Sequence, residues 1–231
     1  MLMHYADVVC RKLMSPHMND ITNKPLVVET ASLPWIELAD GVQGKAVDIA
    51  LDDFGTRIVR LAPGACLPPV EEGLGLEVIV LKGELQFGSS LLGVGGFARR
   101  PAKHMETPST KDGCTLYVKT GPFAAGDTNS VTLQAEELPW SPGHGNLRVK
   151  SLHNFQGLGS ALVHWPAGER FLLHQHFGGE EIFVLSGTFE DEHGRYPEGT
   201  WVQSPHLSQH HPFVLEETVI FVKTGHLPVP S

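Results

Sequence analysis

The two halves of the chain share one pattern of glycines, prolines and apolar runs at a constant offset of 104 residues. No gap is needed between residues 55 and 121, where Gly55 recurs as Gly159, Pro108 as Pro212, and Val118-Lys119-Thr120-Gly121 as Val222-Lys223-Thr224-Gly225. An earlier match, Leu33-Pro34-Trp35 with Leu138-Pro139-Trp140, has an offset of 105. The first repeat therefore has one more residue than the second between this match and the gapless region that begins at residue 55. A repeat of this length predicts two copies of one domain fold.

Each repeat consists of short apolar runs bounded by turn residues. Residues 78–81 and 182–185 are such runs, rich in β-branched and aromatic side chains, which favours strands over helices. The chain also has 25 glycines and 17 prolines, as expected where many tight turns connect short strands. We therefore predict an all-β protein with two tandem antiparallel barrels.

The offset also places the domain boundaries. We predict an N-terminal arm at residues 1–24, a first barrel at residues 25–128 and a second barrel at residues 129–231. The arm has neither the basic-then-apolar order nor the cleavage site of a signal peptide, so we expect a cytoplasmic protein.

The charge of the chain excludes several classes of partner. Its formal net charge is −9, which disfavours binding to nucleic acid and to anionic membrane surfaces. No apolar stretch reaches the length of a membrane span. We expect a small-molecule ligand and a homodimer.

Eleven of the 13 histidines lie from His104 onward, and two of them form a pattern. His174 and His176 are two residues apart, so on a strand both point to one face. The Gly178-Gly179 turn then reverses the chain and brings Glu180 next to His176. Two imidazoles and a carboxylate suit a divalent transition metal.

Residues 168–187 match the first motif of the cupin superfamily, G-x5-H-x-H-x(3,4)-E-x6-G, at every fixed position. The second cupin motif is absent. Instead, the run Pro205-His206-Leu207-Ser208-Gln209-His210-His211-Pro212 and the segment from Glu190 to Gly199 resemble the ChrR-like cupin family. The resemblance covers both repeats, roughly residues 25–228, and implies a bicupin of two jelly-roll barrels.

The resemblance also implies the ligands of a metal centre. They are His174, His176, Glu180 and His210, and they would hold one divalent transition metal per chain: Zn(II) or Fe(II), with Mn(II) or Ni(II) as alternatives. His211 is the rival of His210, and opposite strand parity lets only one of them face inward. The alignment of Ser208 and Pro212 with the family favours His210.

The first repeat lacks this donor set. At the 104-residue offset, Val70, Glu72, Leu76 and Glu106 replace the two histidines of the pair, the glutamate and His210. Two carboxylates without an imidazole make a poor site for a transition metal. We interpret the first barrel as a degenerate cupin with a structural or dimerising role.

Several other residues are compatible with either a structural role or a functional role. His164 either lines the cavity or is an ordinary histidine of a strand, and for Phe171, Phe183 and Trp201 a place in the core is favoured over a ligand pocket. The acidic run Glu190-Asp191-Glu192 is interpreted as a solvated hairpin end. Cys10, Cys66 and Cys114 are interpreted as small buried hydrophobes without a disulfide.

Two classes of function are compatible with such a centre. One is a metal-dependent dioxygenase that acts on diketone-type substrates together with O₂, although similar cupins of that kind often lack the glutamate. The other is a regulatory or stress-sensing cupin, or a binding protein that the metal stabilises without turnover. Regulatory members of the family carry anti-sigma activity in a separate N-terminal zinc domain, and about 24 residues are too few for one. We therefore expect no sigma-factor binding of that kind.

Overall fold

The computed structural model describes residues 24–49, 55–71, 73–102, 106–121 and 123–229, and it confirms an all-β chain. Nearly all of the predicted N-terminal arm lies outside these residues. The described residues form two 3-10 turns, Thr30–Ser32 and Ala135–Glu137, and no helix in this part of the chain is long and apolar enough to cross a bilayer. Twenty strands follow in chain order: β1 Leu26–Glu29, β2 Ile36–Ala39, β3 Val42–Ile49, β4 Gly55–Leu61, β5 Gly75–Gly83, β6 Leu85–Phe87, β7 Ser90–Leu92, β8 Phe97–Arg100, β9 Cys114–Gly121, β10 Val131–Leu133, β11 Ser141–Pro142, β12 Arg148–Phe155, β13 Leu158–Trp165, β14 His174–Gln175, β15 Glu180–Ser186, β16 Thr188–Asp191, β17 Gly194–Pro197, β18 Thr200–Ser204, β19 Gln209–His210 and β20 Thr218–Thr224.

The strands assemble into two large antiparallel sheets with the same order. One runs β10-β8-β5-β9-β4-β3-β2 and the other runs β1-β18-β15-β20-β13-β12-β11. Each repeat adds a short hairpin, β6 with β7 and β16 with β17, and the second repeat also pairs β14 with β19. The architecture is that of two tandem jelly-roll barrels, as the sequence predicted.

The sequence repeat is also a repeat of strand register. In the first barrel Thr120 lies opposite both Gly55 and Leu76, and in the second Thr224 lies opposite both Gly159 and Glu180. Every one of these partners is related by the 104-residue offset. The two halves therefore have one topology in detail.

Each sheet takes its outer strand from the other half of the chain. Strand β1 pairs with β18, with Leu26 opposite Gln203, and β10 pairs with β8, with Val131 opposite Arg99. Leu26 and Val131 differ by 105 residues, the offset that the sequence showed for this region. The predicted boundaries at residues 25, 128 and 129 stay a prediction, but the sheets on either side of them exchange strands.

Three apolar clusters form the core. One fills the first barrel around Leu76, Val78 and Phe87, and another fills the second around Ile182, Val184 and Phe189. The third joins the barrels, where Phe183, Trp201 and Phe221 pack against residues of the first half: Val47, Ile58, Ile79, Phe97 and Tyr117. Burying one such side chain contributes roughly 1.5–3 kcal/mol, so this shared cluster holds the barrels together.

Buried ion pairs cross the same interface in both directions. Lys119 of the first repeat contacts Glu181 of the second at 2.5 Å, and Lys223 of the second contacts Glu77 of the first. Burial alone would raise the pKa of both carboxyl groups, but the facing lysines lower it. A cavity of about 530 Å³ lies at this interface and is lined by both lysines.

The cysteines do not all behave as predicted. Cys114 is buried in the first core, whereas Cys66 is exposed, which corrects its interpretation as a buried hydrophobe. Cys66 lies in an isolated bridge opposite Ser109. Neither of these two cysteines forms a disulfide, and Cys10 lies outside the described residues.

Candidate metal centre

Three short elements of the second barrel bring four side chains together. His174 lies on β14, His176 directly follows it, Glu180 begins β15, and His210 ends β19. Because β14 pairs with β19, His174 lies directly opposite His210. One ligand atom from each of the four residues lies within 4.8 Å of the others.

Two glycines make the turn between His176 and Glu180. Gly178 has a φ of 72° and Gly179 a φ of 70°, a backbone conformation that residues other than glycine adopt only at a cost in free energy. A Cβ on Gly178 would lie 2.7 Å from the Cα of Gly225, so the space also requires a glycine. This tight turn allows Glu180 to face His176.

The ligand atoms point at one another without internal partners. Oε2 of Glu180 lies 3.5 Å from Nε2 of His176 and 3.5 Å from Nε2 of His210. The three imidazole centroids are 4.6 to 4.9 Å apart. Nε2 of His176 and Oε2 of Glu180 are buried and have no hydrogen-bond partner. Since buried polar atoms are nearly always satisfied, this donor set fits a divalent cation.

The electrostatics of the cluster favour a cation at its centre. Burial, with His210 and His174 nearby, lowers the pKa of His176 to about 3, and burial also lowers the pKa of His174. Burial raises the pKa of Glu180 to about 7. His174 and His176 thus present lone pairs. Burial would lower the pKa of His210, but the hydrogen bond to Asp191 and the charge of Glu180 raise it, so a cation would bind there by displacing the Nε2 proton. A bound cation would also stabilise the carboxylate form of Glu180.

Contacts on the outer side of the rings fix which nitrogen faces inward. Nδ1 of His174 lies 3.0 Å from the carbonyl oxygen of Leu172, and Nδ1 of His210 lies 3.1 Å from Oδ2 of Asp191. Both oxygens are acceptors, so each Nδ1 carries the proton and Nε2 is left as the ligand atom.

Asp191 corrects the interpretation of the acidic run as a solvated hairpin end. Its side chain, at the end of β16, is buried, whereas Glu192 is exposed. Burial would raise the pKa of Asp191, but hydrogen bonds from His210 and Tyr196 lower it. The signal in the sequence was the spacing of Asp191 and Gly194, because a turn-capping aspartate accepts from backbone N–H groups and can therefore point inward.

The two adjacent histidines face opposite sides. His210 is buried in the cluster, while His211 is exposed and lies 3.3 Å from Glu192. The structure thus brings His210, rather than its rival, to the other three residues, as strand parity requires.

The remaining aromatic candidates divide between core and site. His164 lies apart from the cluster, 3.6 Å from Glu217 and beside Trp140. Trp201 and Phe183 are core residues, as favoured. Phe171 is partly buried against the core of the second barrel, and its ring contacts His174 at 4.7 Å between centroids.

The first barrel places other side chains at the equivalent positions. Leu76 is buried in the core, Val70 packs against that core, and Glu106 forms an ion pair with Arg100 at 2.6 Å. Glu72 lies outside the described residues. Within the described part of the first barrel there is no group of acidic, histidine and cysteine side chains comparable to that of the second.

Comparison with protein families gives one assignment for both halves. The model of the ChrR Cupin-like domain matches residues 23–124 and again residues 128–228. The chain belongs to the ChrR Cupin-like domain family. Its membership agrees with the two tandem barrels, and the His/Glu cluster lies in the second ChrR Cupin-like domain. No curated protein sequence matches the chain.

Solved structures share the fold of these two ChrR Cupin-like domains at low sequence identity. A candidate dioxygenase of Nostoc punctiforme is 16% identical with a TM-score of 0.70, and the match covers 88% of this chain and 83% of that one. Protein Ylba of E. coli is 12% identical with a TM-score of 0.72, over 99% and 100% of the two chains. A single-site mutant of the oxalate decarboxylase OxdC of Bacillus subtilis is 14% identical with a TM-score of 0.62, over 93% and 81%.

Proposed function

We propose that the second barrel holds one divalent transition metal at His174, His176, Glu180 and His210. We further propose that the protein acts on a small molecule of the diketone or hydroxyketone class, which would chelate the metal through its oxygen atoms. The observation that carries the proposal is the pair of buried atoms without partners, Nε2 of His176 and Oε2 of Glu180, aimed at a common point with the other imidazoles. The first barrel has a structural role.

A metal at this point would supply Lewis acidity, which stabilises negative charge on a chelated enolate oxygen. The chain contributes the donors and their orientation. Three donor residues are almost fully enclosed, with 5 to 7% of their surface exposed, which keeps bulk water away from that side of the cluster.

His174 is the partly exposed donor and marks the side from which a small molecule can reach the cluster. Apolar side chains are exposed next to it along the chain, with Leu172 at 70%, Leu173 at 62% and Phe177 at 75%. Phe171 packs against the His174 ring. An approach lined in this way suits a ligand with an apolar body and oxygen atoms at one end, and it suits a sugar or a nucleotide less well.

The structural relatives support a small-molecule activity without defining it. Two of them are described as a candidate dioxygenase and an oxalate decarboxylase, so both descriptions name an enzyme activity, and the second names a small oxygenated molecule as substrate. Fold alone does not transfer an activity, so the substrate class rests on the site of this chain.

The first prediction concerns metal content. Protein reconstituted with Fe(II) without oxygen should contain one metal per chain by elemental analysis, and His176→Ala should contain none because it loses an enclosed donor. His211→Ala is the matched control, since it removes an exposed imidazole beside His210 and should retain the metal. Metal-free wild-type protein, or a metal-loaded His176→Ala variant, would refute the site.

The same sample tests the substrate class. Acetylacetone should change the visible absorbance of the Fe(II) protein, and oxygen uptake should follow when air is admitted. A metal-loaded protein that shows neither response to acetylacetone would reject the diketone oxygenase, while the metal site would stand.

A further inference from the structure

The carboxylate of Asp191 is held from several directions. Oδ1 accepts a hydrogen bond from the hydroxyl of Tyr196 at 2.8 Å and from the backbone N–H groups of His193 and Gly194 at 2.8 and 3.0 Å. Oδ2 faces Nδ1 of His210 at 3.1 Å. Three donors therefore fix the carboxylate independently of the histidine, and it can act as a rigid reference point.

We propose that Asp191, clamped by Tyr196, is a positioning residue that holds His210 with Nε2 toward the metal. The proposal rests on the metal centre proposed above. By accepting Nδ1–H of His210, Asp191 selects the tautomer whose lone pair lies on Nε2, the atom 3.5 Å from Oε2 of Glu180. Asp191 itself does not touch the cluster centre.

Hydrogen bonds such as that from the N–H of His176 to the carbonyl oxygen of Ser208 at 3.1 Å hold the backbone near His210, but they do not set the rotation of its imidazole ring. Strand β19 is two residues long, and among the described residues its partner strand is β14, which is equally short. Leu207, which lies just before this strand, has a φ of 62°, unusual for a leucine. A ligand on so short a strand depends on a side-chain contact for its orientation.

The internal repeat separates this role from a role in folding. At the 104-residue offset Asp191 corresponds to Phe87, Tyr196 to Leu92, and His210 to Glu106. Phe87 and Leu92 are both 1% exposed, on the hairpin of β6 and β7 that corresponds to β16 and β17. The same hairpin therefore forms with an apolar pair, and the Asp–Tyr pair is present only in the barrel that has the histidine.

The test measures Co(II) affinity by visible absorbance, in competition with a chelator. Asp191→Asn should raise the dissociation constant for Co(II) by about 10- to 100-fold. Tyr196→Phe should raise it less, because the backbone N–H groups still hold the carboxylate. Glu192→Gln is the matched control: it removes a neighbouring carboxylate that contacts His211 rather than His210, and it should bind Co(II) like the wild type.

A second readout needs no metal. Long-range ¹H–¹⁵N spectra of the metal-free protein, recorded at alkaline pH so that His210 is neutral, should show its proton on Nδ1 in the wild type and in Glu192→Gln, and a mixture of tautomers in Asp191→Asn. An unchanged affinity and tautomer in Asp191→Asn, with His176→Ala still unable to bind, would overturn the positioning role and leave the metal centre intact. If neither the wild type nor any variant binds Co(II), the metal centre itself fails, and with it the role of Asp191.

Discussion

The cupin motif contains two kinds of residue: those with potential metal-ligand atoms and those that allow an unusual backbone conformation. His174, His176 and Glu180 each offer one potential ligand atom, whereas Gly168 and Gly187, at the two ends of the motif, have φ values of 81° and 75°. The glycines are needed because a side chain in this region of backbone conformation is strained. They differ in surroundings: a Cβ on Gly168 would meet nothing within 4 Å, while one on Gly187 would press on the carbonyl oxygen of Glu217.

This difference predicts unequal costs for the same substitution. Gly168→Ala should lower the free energy of unfolding by about 1–2 kcal/mol, the cost of the backbone conformation alone. Gly187→Ala adds overpacking against backbone and should cost about 2–5 kcal/mol in total. Urea denaturation of the two variants measures both values, and equal losses would show that the contact at Gly187 relaxes freely.

At the scale of secondary structure elements, the exchanged strands define how independent the barrels are. Strand β1 covers the outer side of β18, and β10 does the same for β8. Val28 of β1 also packs against the apolar cluster between the barrels. Without these strands each large sheet would expose an unpaired edge, which is prone to association with other chains.

A fragment of residues 129–231 should therefore not fold as an independent domain. It would lack β1 and the residues of the first barrel that complete the shared cluster, among them Ile79, Phe97 and Tyr117. We expect an aggregated protein or one with poorly dispersed amide signals in an NMR spectrum, with the full chain as the control. A well-dispersed spectrum of the fragment would show that the predicted boundaries at residues 128 and 129 delimit separate folding units.

At the scale of the whole molecule, the two repeats are joined by a pseudo-symmetric pair of ion pairs. Glu181 is 1% exposed and accepts from Lys119, Tyr117, Thr56 and His226. A buried carboxylate with this many donors is stable only while the donors remain, because burial alone disfavours its charge. The barrels are therefore coupled by polar contacts as well as by the apolar cluster.

Lys119→Met should lower the free energy of unfolding by about 3–5 kcal/mol at neutral pH, since it leaves a buried charge with fewer partners. The folded pKa of Glu181 lies well below its ordinary value of 4.5, so its contribution is present above about pH 4.5 and is lost as the pH falls through the folded pKa. The difference between wild type and variant should accordingly shrink in acid.

Denaturation curves of both proteins from neutral pH to below pH 4.5 measure the effect of Lys119→Met. Lys82→Met, which removes an exposed lysine, is the control and should stay within about 0.5 kcal/mol of the wild type. A loss at Lys119 that is independent of pH would indicate lost packing rather than a lost ion pair.

The sequence by itself determined the features that depend on local order. The offset of 104 residues predicted two barrels of one topology, and the strand registers repeat with that offset. The spacing of His174, His176 and Glu180 around the Gly178-Gly179 turn predicted their convergence. These contacts lie within residues 174–180, where side-chain alternation and the geometry of one tight turn fix which atoms can meet, although β14 pairs with β19 and β15 with β18 and β20.

Only the tertiary structure decided what depends on residues far apart in the chain. Asp191 meets His210 across 19 residues, Thr56 meets Glu181 across 125, and Lys223 meets Glu77 across 146. Whether an acidic side chain is solvated or buried against such a partner depends on the packing of whole barrels. The exchange of β1 and β10 could not be predicted from the sequence either. Local sequence specifies that a segment is extended, but it does not specify the sheet edge with which the segment pairs.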